Sequence, residues 1–210
     1  MSVEERKKVL EIIVDEVAGK VPVVAHVGAA GTRPMIDLAN QAKSAGANGV
    51  GTISPYYAPH LPEENLFHHF ASLIDEVNEE DFPVFVYTNA HYSQNSVTPT
   101  LLKRLADHGL RGYKDSSFDL VNFFLFQDAV ADYPDFNLIV GTEAIFIGAF
   151  DAGATEAICG MGNIFPDILE KLYKAYLAGE RDRPSIFNDL FYGCGRSPNW
   201  VQQSPLCAPY

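Results

Sequence analysis

Apolar positions along this chain follow two alternating rhythms. From Val3 to Ala18 they recur at helical spacing (Val9, Leu10, Ile13, Val14, Val17), and Ser2 with Glu5 forms a capping-box signature at the start. Val21–Val27 then reads as a short buried strand. Gly28-Ala-Ala-Gly-Thr32 leads into a second helix through Ala45, which Gly46 ends. Further strands are predicted at Gly49–Ser54, Pro83–Tyr87, Gly112–Lys114 with its flanks, Leu138–Gly141 and Glu156–Gly160. Helices are predicted near 63–78, 98–108, 118–132, 143–152 and 166–178. Apolar strands alternating with helices imply a parallel sheet covered by helices. Six strands suit a doubly wound open sheet or part of a closed eight-stranded barrel, and the pattern alone leaves both open.

The rhythm stops near Pro184. Residues 184–210 hold Cys194, Trp200 and Cys207 among scattered Gly and Pro, with neither period. A domain over 1–183 followed by a poorly packed tail is the expectation.

Composition narrows the function classes. The 210 residues are 47% hydrophobic and 20% charged, which is globular usage and excludes disorder or a coiled coil. Fifteen Lys+Arg against 27 Asp+Glu give a net charge of −12, with no basic run to attract nucleic acid or an anionic membrane. No apolar stretch approaches the roughly 20 residues of a membrane helix, and the N-terminus has no apolar signal core. Three cysteines without ligand spacing read as reduced thiols in a cytoplasmic protein.

In a parallel α/β sheet, chemistry sits beyond the carboxyl ends of the strands. His26 with Gly28, Pro55-Tyr56-Tyr57, Tyr87, Lys114-Asp115-Ser116-Ser117, Gly141-Thr142-Glu143 and Gly160–Asn163 occupy those places. Lys114 is the most informative. A free lysine is deprotonated in only about one molecule in 2,500 at pH 7, but burial disfavours the ammonium and would make this amine a nucleophile. On spacing alone the commoner reading, a solvated loop lysine, is favoured. Tyr87 ends the preceding strand, where its phenol could serve the same bound carbonyl. Tyr56 and Tyr57 read as a packed loop, Gly28–Thr32 as a tight turn or a weak anion site. His68 and His69 read as a solvated helix face. No His/Cys/carboxylate spacing suggests a metal.

Taken together, Gly19-Lys-Val-Pro-Val-Val-Ala, Ala45-Gly-Ala-Asn-Gly-Val, Pro55-Tyr-Tyr, Tyr87, Gly112-Tyr-Lys-Asp-Ser-Ser and Gly153-Ala-Thr-Glu-Ala-Ile resemble the dihydrodipicolinate synthase and N-acetylneuraminate lyase family of pyruvate-linked aldolases. The resemblance runs from about Ser2 to Gly179. It implies a (β/α)₈ TIM barrel, here with six βα units and without the first two strands. It implies a homo-oligomer, dimer or tetramer, and a lyase that needs no metal or other cofactor beyond a covalent imine. Lys114 would then be the imine-forming lysine, Tyr87 the proton-relaying tyrosine, and Tyr57 the tyrosine that a neighbouring subunit inserts. Ile158, Ser116, Glu143 and Gly160 would bind substrate, Ile158 through its backbone. The implied partners are a 2-keto acid such as pyruvate and an aldehyde.

Several positions depart from the family. Its Gly-Thr-Thr-Gly-Glu-type loop would precede this chain, so a truncated chain, or a gap filled by another segment, is expected. Tyr92 stands where synthases place an arginine for the second substrate. Glu143 is followed by Ala144 where neuraminate lyases carry an acidic pair, and Gly160 replaces their serine. A 2-keto-3-deoxy sugar acid fits these changes at least as well. The competing expectations are a catalytically silent member acting only through oligomer contacts, and an unrelated enzyme binding phosphate at Gly28–Thr32.

Overall fold

Six parallel strands lie side by side in chain order: β1 Val24–His26, β2 Gly49–Ile53, β3 Val84–Thr88, β4 Gly112–Asp115, β5 Asn137–Val140 and β6 Glu156–Ala157. The order never reverses. A doubly wound sheet must reverse at its switch point, so this progression decides for the wall of a TIM barrel over the open-sheet alternative. The computed structural model describes residues 1–180, in a first unit Met1–Cys159 and a second beginning at Gly160. The expected tail after 183 lies outside the described residues.

Helices connect the strands: α1 Val3–Val17 before β1, then α2 Thr32–Ser44, α3 Glu63–Val77, the short α4 Ala90–Ser93, α5 Pro99–Asp107, α6 Leu120–Ala129 and α7 Phe146–Asp151. The second unit holds a 3-10 turn, Gly160–Asn163, and α8 Pro166–Leu177. Among the described residues no helix is long and apolar enough to cross a membrane. The anticipated capping box forms: Ser2 Oγ accepts from Glu5 N at 3.2 Å, and Glu5 Oε2 accepts from Ser2 N at 2.7 Å. Ala18 and Gly19 then turn through positive φ and end α1.

One face of the sheet makes the core. Val50, Thr52, Val84, Val86, Tyr113, Asp115, Leu138 and Val140 alternate along their strands and are buried. Leu66, Phe70 and Leu73 of α3, Leu101, Leu102 and Leu105 of α5 and Phe123 and Phe126 of α6 are buried with them. Asp115 is the exception in character: its carboxylate accepts from Ser117 N at 3.1 Å and Ser117 Oγ at 2.8 Å. Burial nevertheless pushes its pKa up.

Two expectations change, those for β1 and His69, and α1 is more open than its stripe requires. β1 is three residues long rather than seven, and Val24 and His26 are exposed, because β1 is an edge of the sheet. The apolar stripe of α1 covers little: none of its residues is buried, and Val9 and Ile13 line a groove of about 310 Å³ with Val24 and Leu38. His69 is not on a solvated face. It is buried, with Nδ1 2.8 Å from Thr32 Oγ1 at the start of α2, whereas His68 stays exposed and pairs with Glu64.

Burial lowers the His69 pKa from 6.5 to about 4. The unfolded chain therefore binds the proton more readily, and this stabilisation, complete above pH 6.5, disappears as pH falls toward 4. Between pH 7 and pH 4 the stability difference between wild type and His69→Gln should fall by up to about 3 kcal/mol, read from urea unfolding at each pH.

Candidate active site

The other face of the sheet carries the polar groups. Register sets their heights: Ile53 of β2 pairs with Tyr87 of β3, Tyr87 with Lys114 of β4, and Lys114 with Ile139 of β5. Residues paired in register point to the same side, so Tyr87 and Lys114 share one layer at the carboxyl ends of their strands. Lys114 Nζ lies 3.9 Å from the centre of the Tyr87 ring. The same nitrogen donates to Ser116 Oγ at 3.1 Å, and Ser116 Oγ donates to Gly141 O at 3.2 Å. Asn89, two residues beyond Tyr87, donates from Nδ2 to the phenol oxygen at 3.1 Å.

Electrostatics favour a reactive amine. Burial lowers the Lys114 pKa, against the opposing pull of Asp115 and, once ionised, of Cys159. Cys159 follows β6 and lies within the field of both Lys114 and Glu143. Burial, helped by Glu143, pushes its thiol up to about 11, so it stays protonated near neutral pH. Glu143 opens a 3-10 turn in which Thr142 Oγ1 accepts from Ala144 N at 3.3 Å.

The remaining candidates are placed as follows. Ile158 is 53% exposed and spends its N–H on Val140 O at 3.0 Å, so its carbonyl is the backbone group left for a ligand. Tyr57 is 87% exposed, with no side-chain partner among the described residues. The backbone of its loop is held by Asn95, whose Nδ2 donates to Pro55 O and Ala58 O at 2.7 Å each. Gly160 belongs to the second unit, where its carbonyl accepts from Asn163 Nδ2 at 3.2 Å. In the Gly28–Thr32 loop, Thr32 Oγ1 already bonds His69, and the ring of His26 fills the space above Gly28. Among the described residues no group of three or more His, Cys, Asp or Glu could hold a metal.

The family model of the dihydrodipicolinate synthetase family matches residues 1–190. The chain belongs to this family. It is 34% identical over 189 residues to an uncharacterized DapA-like lyase of Halobacterium salinarum, covering 90% of this chain and 60% of the relative. Against the 4-hydroxy-tetrahydrodipicolinate synthase of Methanopyrus kandleri it is 30% identical over 185 residues, with coverage of 87% and 60%. Its fold superposes with a TM-score of 0.82 on the pyruvate complex of YagE, a prophage protein of the dihydrodipicolinic acid synthase family from E. coli K12. That pair is 27% identical, covering 93% of this chain and 67% of YagE. The chain thus spans about 60% of the length of these curated relatives.

Two participants escaped the sequence reading. Asn89 was legible as the i+2 neighbour of Tyr87, one residue past the end of β3. Cys159 was counted only as a reduced thiol, although its place just after a strand was a usable signal.

Gly141 is sterically obligatory beside Ser116. A Cβ there would overlap Ser116 Oγ and come within 2.7 Å of Asp115 O. Gly141→Ala should cost about 1–3 kcal/mol, read as a lowered urea midpoint. It should also displace Ser116 from the Lys114 amine.

Proposed function

We propose that this chain supplies the Schiff-base centre of a class I lyase that cleaves or forms the C3–C4 bond of a 2-keto acid, with pyruvate as the keto component. The observation that carries this reading is Lys114 Nζ, half-buried and 3.9 Å from the Tyr87 ring centre at a strand end. Family membership supports the same chemistry.

In that reaction the neutral amine of Lys114 adds to the 2-keto carbon, and water leaves as the iminium forms. The C3–C4 bond breaks, its electron pair moves toward the iminium nitrogen, and an enamine results. The C4 hydroxyl loses its proton as the aldehyde departs. A proton then returns to C3, and water releases pyruvate. Tyr87, its phenol oriented by Asn89, is suited to exchange protons with the carbinolamine. Ser116 holds the amine before attack. The Ile158 carbonyl and Glu143 are the proposed substrate contacts. Tyr92 in place of an arginine argues for an uncharged, hydroxylated aldehyde, so a 2-keto-3-deoxy sugar acid is the favoured substrate class. A cytoplasmic setting goes with this assignment.

Assembly into a homo-oligomer belongs to the same proposal. Tyr57 is exposed as a residue lent to a neighbour would be. Helix α6 and the turn before it leave Phe118, Val121, Phe124 and Leu125 between 49% and 72% exposed, an apolar patch that a second copy would cover. The competing reading, a silent chain, draws on the exposed β1 edge, which opens the inner face to water.

Incubation with pyruvate and borohydride should add a reduced pyruvyl group at Lys114, located by peptide mass spectrometry. Lys114→Ala should take none. The trapping rate should rise with pH with a midpoint below the ordinary lysine value of about 10.4, because burial favours the free amine. A folded protein that gains no adduct would favour the silent reading. Val121→Asp with Leu125→Asp should reduce the particle mass in light scattering, whereas an unchanged mass would place the subunit contact elsewhere.

A further inference from the structure

His26 is a titratable ring on the inner face that the reaction above does not use. It pairs in register with Gly51, one layer below Tyr87 and Lys114. Its side chain does not stay in that layer. A Cβ on Gly28, two residues further along, would lie 2.6 Å from His26 Cε1, 3.1 Å from Nε2 and 2.9 Å from Ile53 Cγ2. The imidazole therefore rises over Gly28 to the height of Ile53, which is the layer of Tyr87 and Lys114. Its ring meets the Tyr87 ring edge-on, with centroids 6.3 Å apart. The backbone is pinned at this point by Arg6, whose Nη2 donates to His26 O at 2.8 Å. Neither ring nitrogen has a hydrogen-bond partner among the described residues.

We propose that His26 is a second catalytic residue of this site, the base that takes a proton from C3 of the pyruvate imine on Lys114 and returns it to the enamine. The inference rests on the Schiff-base reading. The step balances: the C3–H bond breaks, its electrons form the C2=C3 bond of the enamine, the iminium nitrogen becomes neutral, and the proton resides on the imidazole. Charge thus moves from the iminium to His26. The groups facing the ring are Arg6 and Lys7 of α1, which line the same groove, Tyr87 of β3 and Lys114 of β4. One edge of the ring stays open to solvent, but the part that packs over Gly28 is desolvated; that first, then the positive charges of Arg6 and Lys114, holds the imidazole below its ordinary pKa of 6.5. The positive charge on the Lys114 nitrogen is the one that proton abstraction removes. The obstacle to imidazolium therefore weakens as the proton arrives.

Pyruvate alone tests this. Loss of the methyl signal in D₂O, followed by proton NMR, reports C3 proton transfer without any aldehyde, and borohydride trapping reports the imine separately. Wild-type protein should do both. His26→Gln should trap pyruvate at the wild-type rate but exchange its methyl protons at least ~100-fold more slowly. In His26→Ala, added imidazole should restore exchange, which a purely structural role would not allow. Equal exchange in wild type and His26→Gln overturns the proposal, as does wild-type protein that traps pyruvate yet leaves its methyl protons in place. Parallel loss of trapping and exchange in His26→Gln, without imidazole rescue in His26→Ala, assigns the ring a structural part and also overturns it. Wild-type protein that traps no pyruvate overturns the Schiff-base reading itself, and this inference with it.

Discussion

The arrangement of the inner face depends on one contact, the Lys114 amine over the Tyr87 ring. Two influences on that amine compete. A cation over an aromatic face gains about 0.5–1 kcal/mol where water can reach it, which favours the ammonium but amounts to less than one pKa unit. Burial works in the opposite direction and prevails, so the Lys114 pKa falls. The ring thus fixes the amine in place without locking it in its charged form. Ser116 accepts from the same nitrogen and fixes its direction.

That contact exists because β3 and β4 pair in parallel with Tyr87 opposite Lys114. A slip of one residue would bring Tyr113 or Asp115 level with Tyr87, with side chains on opposite faces. The register is held from behind. Val84, Val86 and Tyr113 are fully buried, and the Tyr113 ring packs 4.6 Å from that of Phe126 on α6. Moving any of them to the inner face would expose most of its apolar surface, at roughly 1.5–3 kcal/mol each. The core face therefore specifies the geometry of the face it does not touch. Glycines complete the arrangement: a Cβ at Gly112 would strike the Phe85 ring at 2.6 Å, and one at Gly28 would strike His26.

Much of this was legible beforehand, for identifiable reasons. Strand and helix positions followed from periodicity, and the α1 capping box from two residues at fixed spacing. Lys114 and Tyr87 stood out because strand ends in parallel sheets are where side chains meet ligands. The errors share one cause. Periodicity tells which face of an element is apolar, but not what covers it. The apolar stripe of α1 proved half-open, β1 read as buried and proved an edge, and His69 looked solvated beside His68 yet packs beneath the start of α2.

By itself the sequence determined the alternation of strands and helices, the acidic surface, and the residue types at each strand end. These depend on neighbours along the chain and on composition. The barrel-type strand order, the layer that Tyr87 and Lys114 share, and the rise of the His26 ring into that layer were decided only by tertiary structure. Each is a relation between strands whose residues are far apart in sequence, and hydrogen-bond register and packing, not local preference, set such relations.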